Sequence, residues 1–531
     1  MSPVANELEL AEPHLGGVLS AAGLDAEYVR AAGNTLYLRG ADGQEIPVLD
    51  FAGGFGSLML GHNNPEITAY TKSLLDAQVP VHSQFSRHPC ANRVAQQLNA
   101  ILQRELDDDE PYFAIFANSG AEAIEVAVKH AEFERSGRLA ALAEEVAAHV
   151  ESARAAVREG AALAPTEAGA RLEAARRAGD AEGFEGLLAA LARENAERLA
   201  RSPLFLTLEG SFHGKLASSV QLTHNESFRL PFKALAAQAR FVPRDRPEAV
   251  KEIIEEERAT VFDLSVEGDT VTVTERDFPI FGAFLLEPVQ GEGGVRVITE
   301  EFARAIQDAC AAIDCPIVVD EIQSGMGRTG AFLASSLIGL RGDYYTLAKS
   351  LGGGLAKVSV TLVRRPRYRQ DFELVHSSTF AKDSFSSHIA LKVLEIMEAE
   401  DGRIYRMARE RGTKLVTTLE ALRADFPDVI KDVRGKGLML GLEFHDQSTS
   451  ESPAIQGVSQ AGFLGYTVAG FALREHRIRL FPTGSAFNTL RLQPSVYLSD
   501  EEIARLDAAL RDVCGVLREQ DGERLTGGRG E

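Results

Sequence analysis

Short apolar runs, each ending in a polar or glycine-rich turn, recur through the first two thirds of the chain. Tyr112-Phe-Ala-Ile-Phe116 leads into Ala117-Asn-Ser-Gly-Ala121, and Leu204-Phe-Leu-Thr-Leu208 into Glu209-Gly-Ser-Phe-His-Gly214. Phe281-Gly-Ala-Phe-Leu-Leu286 leads into Glu287-Pro-Val-Gln-Gly-Glu-Gly-Gly294, Ile317-Val-Val319 into Asp320, and Tyr344-Tyr-Thr-Leu347 into Ala348-Lys349. Runs without polar alternation suit strands covered on both faces, as in a largely parallel sheet. Helical stretches such as Glu301 to Ala312 lie between several of them. The pattern is a βα alternation, with functional residues expected at the carboxyl ends of the strands.

From about residue 385 the pattern changes to that of a separate α+β portion. Ile389 to Glu400 and Ile404 to Phe426 read as helices, and Val433 to Phe444 as a strand entered by a glycine turn. Asp500 to Glu519 reads as a closing helix with Ser499 as N-cap, and Thr526 to Glu531 as an unstructured end. Two stretches look like additions. In Arg138 to Ala200, Leu139, Leu142, Val146, Val150, Ala153 and Val157 form one helical stripe, a break follows at Gly160 to Pro165, and two more helical pieces complete it. A helical hairpin packed on the body or on a second subunit is the plain reading, and a lid or partner-docking element the sharper one. In Val261 to Phe278, residues 264–273 alternate around Gly268-Asp269, which predicts a β-hairpin.

Composition narrows the class. The 531 residues are 45% hydrophobic and 25% charged, enough for a large core. A net charge of −21 repels phosphate backbones, so no nucleic-acid partner is expected. No apolar run reaches the roughly 18 residues of a membrane span, and Met1 to Gly40 lacks a signal pattern. Cys90, Cys310, Cys315 and Cys514 show no CxxC spacing and read as reduced thiols of a cytoplasmic protein.

The chemistry sits at the strand ends. Lys349 precedes a glycine triplet, 29 residues after Asp320 closes an apolar β-branched run. The pair fits the two ends of pyridoxal 5'-phosphate (PLP), whose aldehyde takes a lysine as a Schiff base and whose pyridine nitrogen needs a carboxylate to stay protonated. Asn118-Ser119-Gly120-Ala121 opens a helix after a strand, an arrangement that holds anions. Phe212 is flat enough to stack on a cofactor ring, with His213 beside it, and Gln323 is placed to reach a phenolic oxygen. Glu287 and Glu292 bring two carboxylates after a buried strand. Taken singly, each of these residues has a plain alternative, such as a cap, core packing or a solvated surface position. No metal site is read.

The motifs together resemble class III aminotransferases, the ω-transaminase, ornithine and acetylornithine group. The resemblance runs from about Leu49 to Asp512, apart from the two additions. It is carried by Leu49-Asp-Phe-Ala-Gly-Gly-Phe-Gly56, Leu60-Gly-His-Asn-Asn-Pro65, Ser119 to Ala123, Phe212-His-Gly214, Glu287 to Gly294, the Asp320 and Lys349 blocks, and Val433-Arg-Gly-Lys-Gly-Leu-Met439. It implies an α/β, PLP fold-type-I architecture: a large domain with a mostly parallel central sheet flanked by helices, plus a smaller α+β domain. Residues 1–70 would begin the small domain, 71–384 form the large PLP-binding domain with insertions at 136–200 and 261–278, and 385–531 complete the small domain. The resemblance implies that Ser119, Gly120 and Ala121 hold the phosphate, Phe212 stacks on the ring with His213 and Glu287 beside it, Asp320 pairs with the ring nitrogen and Gln323 touches the phenolic oxygen. Lys349 would form the aldimine and shuttle the proton. Thr379 would reach the phosphate from the neighbouring subunit, so that a homodimer shares its sites. Arg491 would grip a substrate carboxylate, and Glu292 would pair with it when no carboxylate is present. The implied reaction moves an amino group from an amine or amino acid to a keto acid such as 2-oxoglutarate or pyruvate. The same cofactor contacts leave a racemase, aminomutase or decarboxylase open, and a non-catalytic partner-binding protein is the reading from another class. Two segments depart from the family pattern: Ala381-Lys-Asp-Ser-Phe385 stands where Gly-Gly-Asn-Pro is usual, and Gln493-Pro-Ser495 where a double proline is usual.

Overall fold

In a computed structural model, which describes residues 11–40, 42–83, 86–178, 182–235 and 238–527, the apolar runs form one seven-stranded sheet. Its strands are β1 (Tyr112–Ala117), β2 (Leu204–Leu208), β3 (Ala239–Val242), β4 (Phe281–Leu286), β5 (Ile317–Asp320), β6 (Tyr344–Leu347) and β7 (Ser359–Arg364). The spatial order is β1-β7-β6-β5-β4-β2-β3. Neighbours from β6 to β3 run parallel, and β7 alone is reversed, pairing antiparallel with both β6 and β1. Strands β4, β5 and β6 are buried along their whole length, which explains their lack of alternation. Because these strands share a direction, Glu287, Asp320 and the segment to Lys349 leave the sheet on one edge.

The two ends of the chain meet. Strand Glu45–Asp50 pairs in parallel with Ile478–Arg479, so the N-terminal three-stranded meander is completed by a C-terminal segment. The expected strand from Val433 to Phe444 is instead a hairpin. Ile430–Lys436 and Met439–Phe444 pair antiparallel about Gly437, whose φ of 57° makes the turn. The pieces 389–400 and 404–426 belong to one helical segment, Ser384–Asp425, with a left-handed break at Glu400–Gly402. Ser499 caps the helix Asp500–Arg518 through a capping box with Glu502. Thr526 ends a short helix, and 528–531 lie outside the described residues.

The two additions form one unit rather than a helical hairpin and a separate β-hairpin. Helix α1 (Gly120–Arg158) begins at the Asn118–Ala121 turn, packs on the sheet through Ile124, Ala127 and Ala131, and continues unbroken into the insertion. There Leu142, Val146 and Ala153 are buried. The predicted hairpin is present as Thr260–Glu267 and Thr270–Asp277, turning at Gly268-Asp269. Its inner residues Val261, Leu264, Val271 and Val273 are buried, and its strands contact α1 and the remaining insertion helices, α2 (Glu167–Ala178) and α3 (Gly183–Leu199). Asn195 of α3 clamps the Phe262 backbone, donating to its carbonyl and accepting from its N–H, both at 2.8 Å. The break after α1 supplies a third strand, Ala162–Leu163, parallel to Thr270–Val271.

Candidate active site

Asp320 ends β5 with both carboxylate oxygens hydrogen-bonded. Oδ2 lies 2.8 Å from His213 Nδ1, and Oδ1 accepts the Ile322 N–H at 3.1 Å and the Thr346 hydroxyl at 3.3 Å. The other His213 nitrogen lies 3.2 Å from Thr207 Oγ1. Burial works against a charge on His213, yet the hydrogen bond to Asp320 and the charges of Asp320 and Glu287 outweigh it and push its pKa up. Glu287, at the end of β4, accepts the Phe212 N–H at 2.9 Å and the Gly291 N–H at 3.0 Å, fixing the loop that presents Phe212. Its own pKa rises to about 7, mainly through burial.

Lys349 follows β6 in the left-handed region, at a φ of 46°, and opens a single 3-10 turn that closes at Gly353. The residue as a whole is half-buried, and its amine is enclosed. Burial draws the pKa down from 10.5 to about 8; Glu292, Asp320 and Glu287 oppose this and Arg491 adds to it. Four ionisable groups expected from the sequence, Asp320, Glu287, Glu292 and Arg491, therefore act on this one amine.

Glu292 and Arg491 form an ion pair, and Glu292 also accepts the Gly484 N–H at 2.6 Å. Although burial would raise the Glu292 pKa, Arg491 and Lys349 hold it below the usual carboxylate range. Arg491 is 1% exposed, and its guanidinium lies over the Phe55 ring at 4.7 Å.

At the start of α1, Ser119 is the N-cap. Glu122 takes the N–H groups of Asn118 and Ser119, at 2.9 and 2.7 Å. The N–H groups of Gly120 and Ala121 stand at a helix start, where no intrahelical partner exists. A Cβ on Gly120 would come within 2.9 Å of Ile322, so the turn and the loop after Asp320 are in close contact. Thr379 lies in an exposed segment beside this turn, since Asn118 Nδ2 donates to Ser378 Oγ at 2.9 Å. The departing residues after Phe380 begin a helix: Asp383 caps it, accepting the Ser386 N–H at 2.8 Å.

Residues 20–513 match the family model for class-III aminotransferases. The chain belongs to the class-III aminotransferase family. Solved structures share the fold at low identity. An ornithine aminotransferase from Toxoplasma gondii ME49 is 18% identical with a TM-score of 0.66, covering 98% of this chain and 100% of that one. A PLP-bound amine transaminase from an uncultivated Pseudomonas species is 21% identical with a TM-score of 0.65, covering 96% and 98%. A thermostable omega transaminase engineered for synthesis of bulky amines is 18% identical with a TM-score of 0.68, covering 99% of both chains. The protein is a PLP-dependent aminotransferase, and amino transfer takes precedence over the racemase, aminomutase, decarboxylase and non-catalytic readings.

The residues present in the aminotransferase fit that cofactor. The site holds an enclosed amine of lowered pKa, a carboxylate tethered by three donors, and a helix start whose first N–H groups have no intrahelical partner. Gln323 Nε2 donates to the Phe55 carbonyl at 3.4 Å and carries a second N–H that a phenolic oxygen could accept, while its buried Oε1 lacks a hydrogen-bond partner among the described residues. Gly291 leaves room for this amide, since a Cβ there would sit 1.4 Å from Gln323 Oε1.

Sequence reasoning assigned no role to three residues that build the site. Arg328, 1% exposed, donates to the carbonyls of Leu438, Pro494 and Gly56. Asp50 anchors the start of the Gly53–Gly56 segment, and Phe55 covers Arg491. The Gly-Gly-Phe-Gly string was the available signal. Gly53 is required there because a Cβ would lie 1.9 Å from the Gln493 carbonyl oxygen.

Proposed function

We propose that this aminotransferase moves an amino group between an amine lacking a carboxylate beside the reacting carbon and an α-keto acid such as 2-oxoglutarate or pyruvate. The observation that carries the reading is the Glu292–Arg491 ion pair beside the Lys349 amine. Paired, the two charges neutralise each other and the pocket accepts an uncharged substrate face. Parted, Arg491 offers a planar fork suited to a carboxylate.

Ser119, Gly120 and Ala121 would hold the PLP phosphate, Phe212 would cover one ring face, and Gln323 would donate to the phenolic oxygen. When bound, PLP supplies an aldehyde carbon that takes up amines and a conjugated ring that stores the electron pair left when a carbon loses its proton. Asp320 would keep the ring nitrogen protonated, its charge held in place by His213, Thr346 and the Ile322 N–H. Lys349, with its pKa near 8, would take the proton from the substrate carbon and deliver it to the cofactor's C4′ carbon, which calls for a base poised near the working pH. Thr379 would complete the phosphate contacts of a second subunit in a homodimer.

The test pairs holoenzyme with a panel of primary amines and keto acids and follows the carbonyl product by chromatography. Turnover with a carboxylate-free amine and 2-oxoglutarate or pyruvate is expected. Turnover restricted to α-amino acids would overturn the amine half of the reading.

A further inference from the structure

Four successive residues, Gly53, Gly54, Phe55 and Gly56, have φ values of 52°, 57°, 55° and 91°. Glycine adopts this region freely, whereas phenylalanine does so under strain. Phe55 also keeps 41% of its surface exposed, so burial does not offset the strain. What holds it is a set of contacts. Asp50 accepts the N–H groups of Ala52 and Gly53 at 3.0 and 3.2 Å, the Phe55 carbonyl accepts from Gln323, and the Gly56 carbonyl accepts the Ser350 hydroxyl at 2.9 Å. The Phe55 ring lies under the Arg491 guanidinium at 4.7 Å and meets Phe481 edge-on, centroids 5.5 Å apart at 62°. Beyond Phe481, at 4.9 Å, sits the Arg479 guanidinium, which donates to Asp50 at 3.1 Å. Two adjoining rings thus stand between two cations, Arg479 and Arg491, with Asp50 anchoring one end and Glu292 the other.

We propose that Phe55 is a latch on Arg491, a specificity-determining residue whose ring face holds the guanidinium on Glu292 and so sets how readily the pocket admits a carboxylate. The proposal rests on reading Arg491 as the carboxylate grip. A carboxylate substrate has to draw Arg491 away from Glu292. Every attraction present only in the paired state weakens that substrate's binding and leaves a neutral amine untouched. A cation over an aromatic face is such an attraction, and it is stronger when the cation is withdrawn from water, as Arg491 is. The strained backbone keeps the ring in register with the guanidinium.

Phe55→Leu removes the ring face and keeps apolar bulk, while Phe55→Tyr keeps the face. On holoenzyme, the Leu variant is expected to bind carboxylates more tightly. Both the KM for the keto acid substrate, assayed with 2-oxoglutarate, and the Kd for glutarate, a non-reacting dicarboxylate, should fall by between about twofold and about thirtyfold. Its KM for benzylamine should move less, and the Tyr variant should behave as the parent. Equal shifts for acid and amine, or weaker glutarate binding, would overturn the latch. Arg491→Lys separates the two readings. Unchanged glutarate binding in that variant removes the grip itself. Weakened binding there, combined with no gain in Phe55→Leu, leaves the grip standing and removes the latch. If Phe55→Leu does not fold, Phe481→Leu withdraws the ring behind Phe55 and should also tighten glutarate; no change in that variant counts against the latch.

Discussion

Lys349 and Asp320 owe their properties to what surrounds them. The Lys349 amine is enclosed and its pKa falls to about 8. The neutral amine is the form that attacks an aldehyde, so the rate at which cofactor-free protein takes up PLP should rise with pH through about 8. Stopped-flow absorbance checks this, and a rate that is level across that range would contradict it. Asp320 accepts from His213, Thr346 and the Ile322 N–H. Asp320→Asn keeps the shape and removes the charge, so PLP should still bind while kcat falls on the order of a hundredfold or more. Cofactor retention after gel filtration, measured with turnover, separates that result from a folding defect. Among residues, the strand-end motifs were legible because PLP demands an amine and a carboxylate at opposite ends. Phe55 was not, because a ring acquires a role through what stacks on it, and Arg491 lies 436 positions away in the chain (491 − 55).

Among elements, the insertion gives the clearest lesson. Its helical stripe and the β-hairpin were each readable from periodicity, but their association was not, because neither pattern names its partner. The hairpin's buried residues, Val261, Leu264, Val271 and Val273, are covered by helices from about 100 residues earlier in the chain. Replacing residues 140–200 alone with a short linker should therefore expose an apolar sheet face and give aggregating protein. Replacing 140–200 and 262–276 together should restore soluble protein that still binds PLP, because the central sheet and its strand-end residues lie outside both segments. Light scattering and PLP absorbance on the two variants decide it; equal solubility would contradict the shared core. The Val433–Phe444 hairpin escaped sequence reasoning for a related reason. Gly437 turns the chain between a mostly polar segment and the apolar run that follows, and its close approach to Arg328 and Thr329, where a Cβ would lie 2.6 Å from the Arg328 carbonyl oxygen, depends on the other half of the molecule.

For the whole molecule, no helix among the described residues is long and apolar enough to cross a membrane, and the four cysteines are buried and free. Leu374, Val375 and Phe380 flank Thr379 and are exposed, Leu374 by 87%. In the proposed homodimer this apolar segment would face the second subunit. Phe380→Asp should shift sedimentation toward monomer and loosen PLP, while leaving the fold intact by circular dichroism. A dimer of unchanged strength would exclude this segment from the interface. The meeting of strand Glu45–Asp50 with Ile478–Arg479 places both chain ends around one site.

The sequence by itself determined the sheet, the cofactor and the side chains at the strand ends, because buried parallel strands and PLP each impose local, recognisable residue patterns. Only the tertiary structure decided which distant groups act on one another: the charges that tune Lys349, the joining of two insertions into one core, and the stack from Arg479 to Arg491. Those relations depend on distance in space, on which apolar periodicity and motif spacing are silent.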